Sequence, residues 1–268
     1  MKILFIGDIV GSLGRRTIAN LLPTIKKGDN ISLCIANSDN IAGGRGVTTA
    51  TLRELLNCGV DFFTSGDHIF GIKGFENEIN NLPFIIKPAN FTADSPGNEY
   101  GILDLGKLGR FGIVSLLGRT FIETNRNSEC PFKAMDRVLA KLEKEKLNGI
   151  FVDFHAEATS EKVAMAYYLD GRVSVLVGTH THIPTADNRI MPGGTAFVSD
   201  LGMVGALDSV LGVQKEIILN NFVSSLQKKF VWMDEGPAIF NSVIVDYHEK
   251  TGKVRNIERK DRILEGGE

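Results

Sequence analysis

Five histidines are spread through this 268-residue chain, at His68, His155, His180, His182 and His248. Four of them come within a few residues of an apolar run of strand length: His68 after VDFFTSGD, His155 after GIFVDF, His180 and His182 after VSVLVGT. Two earlier runs end in Asp8 (FIGD) and in Asn37-Ser38-Asp39-Asn40. Ligands of open α/β sheets bind outside the carboxyl ends of the strands. Five strand ends therefore present acids, amides and imidazoles to one edge. A single Asp or His after a strand is more commonly a turn cap or a core imidazole; the combination is what points to a site. In Thr179-His180-Thr181-His182, an extended segment would turn both imidazoles to the same side.

Carboxylates and imidazoles without a cysteine among them suit divalent transition metals of intermediate hardness. Zinc thiolate sites and all-oxygen calcium or magnesium cages fit this set poorly. There are donors enough for two ions. A pair about 3.5–4 Å apart suits in-line displacement at phosphorus, with a nearby acid to protonate the leaving oxygen.

The elements that must hold these groups follow a βα rhythm. Lys2–Ile6, Ile31–Ala36 and Val60–Thr64 read as strands, alternating with helices over Arg15–Lys26 and Thr48–Cys58, the second with Thr48 as N-cap. Phe84–Ile86, Gly101–Leu105 and Phe111–Leu116 are strand-like, and Ala134–Lys146 reads as an exposed amphipathic helix. The rhythm resumes with strands at Ile150–Asp153, Val173–Gly178 and Ala196–Ser199, and helices near Ser160–Tyr168 and Gln214–Leu226. Strands at Phe230–Trp232 and Ile239–Tyr247 and a turn at Lys250–Lys253 complete the pattern. With no repeat, linker or low-complexity stretch, this describes an α/β fold, residues 1–268 as a single domain, with two sheets layered face to face.

A net charge of −2 gives no field that would attract long nucleic acid or an anionic membrane. The apolar run Ile3–Ile6 is too short for a signal sequence and no run reaches the roughly 18 residues of a span, so the chain reads as cytoplasmic. Three scattered cysteines, Cys34, Cys58 and Cys130, form no disulfide framework, and the first two read as core thiols.

The stretches FIGDIVGSLGR, NSDNIAGGRG, TSGDHIF, FVDFHAEATSEK, VGTHTHIPTADNRI and GTAFVSDLGMVG resemble, in order, the motifs of the YmdB-like bacterial phosphodiesterases, a branch of the calcineurin-like metallophosphoesterases. The resemblance covers essentially the whole chain. It implies a four-layer αββα sandwich, two mixed β-sheets flanked by helices, with a dinuclear centre at the sheet edge, often of iron, with manganese as the alternative. It implies that Asp8, Asn40 and His182 serve one metal, that Asp67, His155 and His180 serve the other, and that Asp39 bridges them. His68 is then the proton donor. The implied substrates are small phosphodiesters such as 2′,3′- and 3′,5′-cyclic nucleotides, attacked by hydroxide held between two metals. Partners beyond substrate are not implied, although the pattern allows a homo-oligomer.

Two positions depart from that pattern. Asp39 stands where the family has glutamate, and Asp67 where it has asparagine. Three aspartates against two divalent ions leave a charge of about +1 rather than the family's +2, which predicts tighter metal binding and slower hydrolysis. Arg45, in the loop Gly43-Gly44-Arg45-Gly46, and Arg119 are candidates for phosphate contact. Asp200–Gly212 is a candidate rim or surface loop, Asp187-Asn188-Arg189 a candidate support for the imidazoles, and His248 reads as exposed and unrelated. Two other functions remain open: a metal-binding regulatory or scaffold protein with little activity, and a redox or oxygen-handling iron protein.

Overall fold

The structure, a computed structural model, describes residues 1–122 and 128–265. The chain opens with β1 (Lys2–Ile9), α1 (Gly11–Asp29), β2 (Ile31–Asn37), α2 (Thr49–Asn57), β3 (Phe62–Thr64) and the short α3 (Phe75–Glu78). It continues through β4 (Tyr100–Asp104), β5 (Arg110–Leu117), α4 (Pro131–Leu142), β6 (Gly149–His155), α5 (Thr159–Leu169), β7 (Val175–Thr179), β8 (Arg189–Ile190) and β9 (Ala196–Val198). The last part holds β10 (Met203–Ala206), α6 (Lys215–Val223), β11 (Ala238–Phe240), β12 (Ser242–His248), β13 (Lys253–Arg259) and β14 (Arg262–Leu264).

Alternation along the strands builds the layers. Ile3 and Phe5 of β1 face Phe111, Ile113, Phe151, Val175 and Val177, which forms the core between the two sheets. Their neighbours Leu4 and Ile6 point the other way, onto Ile18 and Leu22 of α1 and Leu52 and Leu55 of α2. On the far side, Val114, Leu116, Val152 and Phe154 pack under Met135 and Val138 of α4 and Met165 and Ala166 of α5. The result is the expected four-layer αββα sandwich. One sheet runs β13-β12-β1-β10-β11-β14, with β2 and then β3 on the other side of β1; the second runs β4-β5-β6-β7-β9-β8.

One edge of β1 is shared. Residues Lys2–Ile6 pair antiparallel with β12, while Asp8 and Ile9 pair parallel with β10. Gly7 stands at the fork, donating its N–H to Asn241 O at 3.2 Å. Only glycine fits there, since a Cβ would lie 1.8 Å from Gly202 O.

Several element boundaries differ from the sequence reading. Ile239–Tyr247 is not one strand: it breaks at Asn241 into β11 and β12, because β10 and β12 claim different stretches of β1. Phe84–Ile86 and Phe230–Trp232 make only isolated bridges, through Ile85 and Trp232. The helix expected over Ala134–Lys146 begins at Pro131, ends at Leu142 and buries one face. Thr48 caps α2 as expected, in a reciprocal exchange with Thr51. Cys34 is a core thiol, whereas Cys58 is the partly exposed C-cap of α2. No helix among the described residues is long and apolar enough to cross a membrane.

Candidate metal centre

The strand ends converge. Asp8 lies near the end of β1, Asp39 and Asn40 follow β2, Asp67 and His68 follow β3, His155 ends β6, and His180 and His182 follow β7. Asp67, His155 and His180 bring one donor atom each within 4.8 Å of one another, and so do Asp39, Asp67 and His68. His182 Nε2 is 3.3 Å from Asn40 Nδ2 and 3.9 Å from Asp8 Oδ1. His155 Nε2 is 3.2 Å from Asp67 Oδ1 and 3.6 Å from Asp39 Oδ2. His248 lies at the end of β12, toward the opposite edge of the sheet, and is half-buried rather than exposed.

Hydrogen bonding assigns the imidazole tautomers. Thr179 Oγ1 donates to Asp153 Oδ1 at 2.7 Å, so it can only accept from His155 Nδ1, 2.9 Å away. The lone pair of His155 is then on Nε2, facing the acids. His182 Nδ1 donates to Leu211 O at 3.1 Å, which leaves its Nε2 as the donor atom toward Asn40 and Asp8. His180 Nε2 lies 3.3 Å from a Glu157 carboxylate oxygen, a neighbour that favours the proton on Nε2 and so the lone pair on Nδ1. That Nδ1 is 3.0 Å from His155 Nε2. Two lone pairs at this separation repel unless a cation lies between them. Asp8 Oδ1, fully buried without a hydrogen-bond donor, is a second atom that calls for positive charge.

Electrostatics agree. Burial, with Asp200 nearby, raises the Asp8 carboxyl well above its ordinary range, and burial beside Asp67 does the same to Asp39. Burial acts upward on Asp67 too, but the imidazoles of His155, His68 and His180 around it hold it well below the usual range. Burial pushes His155 down to about 3 and His182 down to about 4, so both stand neutral and ready to ligate at neutral pH.

The loop carrying His180 and His182 is not the extended segment inferred from sequence. Both residues have positive φ, 100° and 65°, conformations rare for residues with a side chain. They are held there by buried polar partners. His180 N–H donates to Asp8 Oδ2 at 3.0 Å, and Thr181 donates to Asp200 Oδ2 through N–H at 3.2 Å and Oγ1 at 2.8 Å. Asp200 is itself paired with Lys162 Nζ at 2.6 Å, both side chains 2% exposed. Asp153 plays the matching part under His155, receiving Asn37 Nδ2, Thr64 Oγ1 and Thr179 Oγ1. The candidate support at Asp187-Asn188-Arg189 is corrected accordingly. Asp187 accepts from Thr185 and Ser199, and Asn188 donates to Ile257 O, without touching an imidazole.

A cavity of about 590 Å³ opens above these groups, with Asp39, Asn40, Asp67, His68, His155, His180 and His182 at its floor and Leu211, Phe222, Phe230 and Trp232 along its wall. The segment Asp200–Gly212 is a rim only at its end; its middle is β10, inside the sheet. Glu157, unremarked in the sequence although two residues from His155, also lines the cavity. Arg45 and Arg119 do not line it. Arg45 is exposed beside His68, and the Arg119 N–H donates to Glu161. A larger hollow of about 720 Å³, beside Asn148, Ser174 and Gly193, lies at the opposite edge and contains no imidazole among the described residues.

Comparison with known proteins places this arrangement. The model of the YmdB-like protein family matches residues 4–260. A 2′,3′-cyclic-nucleotide 2′-phosphodiesterase of Bacillus subtilis is 40% identical over 260 residues, 97% of this chain and 96% of that protein. A crystal structure described as a novel phosphatase from Mycoplasma pneumoniae superposes with a TM-score of 0.92 at 30% identity, covering 99% of this chain and 94% of that one. A hypothetical protein from Thermus thermophilus gives 0.89 at 34% identity, with both chains wholly covered. With a family model spanning nearly every residue and relatives matched end to end, the chain belongs to the YmdB-like family of metallophosphoesterases.

Proposed function

We propose that this protein is a dinuclear metal-dependent phosphodiesterase acting in the cytoplasm on small diesters such as 2′,3′- or 3′,5′-cyclic nucleotides. The observation that carries the reading is the pair of imidazole nitrogens, His155 Nε2 and His180 Nδ1, 3.0 Å apart beside buried carboxylates. That donor set fits transition-metal ions such as iron or manganese. Asp8, Asn40 and His182 would hold one ion, and Asp67, His155 and His180 the other, with Asp39 between them. Bound ions of this kind supply positive charge for the phosphoryl oxygens and ionise water at neutral pH.

The chain's own residues do the rest. Among the described residues no lysine or arginine lines the cavity, so the floor, not a basic clamp, must orient the diester. His68 Nδ1 lies 3.1 Å from Asp67 Oδ2, which holds a proton on Nδ1 and leaves Nε2 to deliver another to the leaving oxygen. Burial lowers the His68 pKa, and the Asp67 carboxylate works against that, keeping the imidazolium within reach. The acids lining the cavity, Asp39, Asp67 and Glu157, disfavour a dianionic monoester relative to a monoanionic diester.

The test is hydrolysis of 2′,3′-cyclic AMP by protein purified with manganese or iron, with and without chelator, alongside metal analysis. Chelator-sensitive turnover supports the reading. Protein holding two metals without turnover supports a regulatory or scaffold role, which the carboxylate of Asp67, where the family has asparagine, favours.

A further inference from the structure

The wall of the cavity differs in kind from its floor. Phe222, Phe230 and Trp232 stand along it, with Phe222 84% and Phe230 53% exposed. Trp232 is seated against the glycine loop that follows Asp39 and Asn40. A Cβ on Gly44 (φ +79°) would lie 2.1 Å from the indole Cδ2 and 2.3 Å from Cε2, so the ring rests directly on that backbone. Gly212 lies beneath another part of the ring, where a Cβ would be 3.4 Å from Cε3. The backbone around Trp232 is pinned by Met233 N–H to Gly212 O at 2.8 Å and Gln214 N–H to Val231 O at 3.0 Å. The indole is thus a fixed plane, tied through one short loop to two candidate metal ligands.

Resting on the hydrolase reading above, we propose that this aromatic wall is the base platform of the site: the base of a nucleotide diester stacks on Trp232 with Phe222 and Phe230 closing around it while its phosphate lies over the floor. A cavity with a polar, metal-binding floor and an aromatic wall selects a ligand with an anion at one end and a flat apolar group at the other. Stacking on aromatic side chains holds any base without reading its edge, so discrimination is between substrates with and without a base. The glycines at 43–46 thereby acquire a role that phosphate contact by Arg45 does not supply.

The experiment compares 2′,3′-cyclic AMP with glycerol 1,2-cyclic phosphate, the same ring phosphodiester without a base, in the metal-loaded enzyme and in Trp232→Leu and Phe222→Ala. The expected result is a preference for the nucleotide that falls about 10- to 100-fold in Trp232→Leu, through KM, and less in Phe222→Ala. Phe222 is so exposed that its loss leaves folding intact. Trp232 is the only tryptophan in the chain, so its fluorescence reports directly: cyclic AMP should quench it saturably and glycerol cyclic phosphate should not. Equal kcat/KM for the two substrates, an equal loss on both in the variants, or preference for a long-chain lipid cyclic phosphate would overturn the proposal. If neither substrate is hydrolysed, the diesterase reading fails, and quenching by the nucleotide still decides the platform: saturable quenching sustains it and none overturns it.

Discussion

Replacing Lys162 by methionine should damage a site that Lys162 never touches. Its ammonium is 2.6 Å from Asp200 Oδ2, and both side chains are 2% exposed. Removing one partner of a buried ion pair typically costs about 3–5 kcal/mol, because the other charge is left uncompensated. Asp200 retains Thr181 N–H, Thr181 Oγ1 and Gly202 N–H as donors, which places the loss near the lower end, about 3 kcal/mol. For a chain of this size that corresponds to a fall in Tm of roughly 6–12 °C. The same carboxylate holds Thr181 between two residues of positive φ, so His180 and His182 should lose their aim. Metal affinity should fall about 10- to 100-fold, as for other residues that support ligands. Calorimetric melting and a manganese titration of Lys162→Met measure both effects. In Lys162→Met/Asp200→Asn, where no unpaired charge remains, most of the stability should return while metal affinity stays low. A single variant within about 1 kcal/mol of the parent would refute the argument that the pair holds the loop.

Other perturbations test the centre itself. Asp67→Asn should weaken divalent metal binding and raise kcat, since it removes one negative charge from the floor; a clear fall in kcat at saturating metal would count against the charge argument. Gly66→Ala should abolish metal binding at the His155 position while the fold persists, because the added Cβ would lie 2.2 Å from that ring; circular dichroism with metal analysis separates the two. Metal binding should also release protons. Asp8 and Asp39 have raised pKa values and must give up protons to ligate, whereas His155 and His182, at about 3 and about 4, are already neutral. Affinity should therefore rise with pH, and binding should release protons wherever these carboxyls are still protonated in the free protein. Calorimetry in buffers of different ionisation enthalpy reads the number released per metal, and a value of zero throughout would show that both carboxyls are already ionised.

The strand ends are legible in the sequence because each joins two strong signals, an apolar run and a polar residue directly after it. Asp8, Asp39, Asp67, His155 and the His180–His182 pair all come from that conjunction, and the structure brings them together. Their supports are not legible. Lys162 sits in Thr159-Ser160-Glu161-Lys162, a polar helix start, and becomes buried only because Asp200, far along the chain, closes over it. The left-handed backbone at His180 and His182 has no local signature either, since glycine is absent there and tertiary hydrogen bonds impose it. β10 is only four residues, Met-Val-Gly-Ala, whose strand character comes from the edge of β1 rather than from their own pattern. The aromatic wall is likewise invisible in sequence, because Trp232 reaches Gly44 across nearly two hundred residues.

The forked edge of β1 also governs the order in which the molecule can be made. β1 is made before the strands that flank it and can pair with β2 as soon as that strand follows, yet its other edge waits for β10 and β12, residues 203–206 and 242–248. Contacts so distant in sequence form late, after the entropy of a long loop has been overcome. Until they form, Asp8 lacks its neighbour in β10, and His182 lacks the Leu211 carbonyl that fixes its tautomer. A nascent chain stopped near residue 200 would display most of the donor atoms without the geometry to use them. An ion held by this donor set would thereby be captured only after β10 and β12 have joined β1, so its binding would report closure of the sheet.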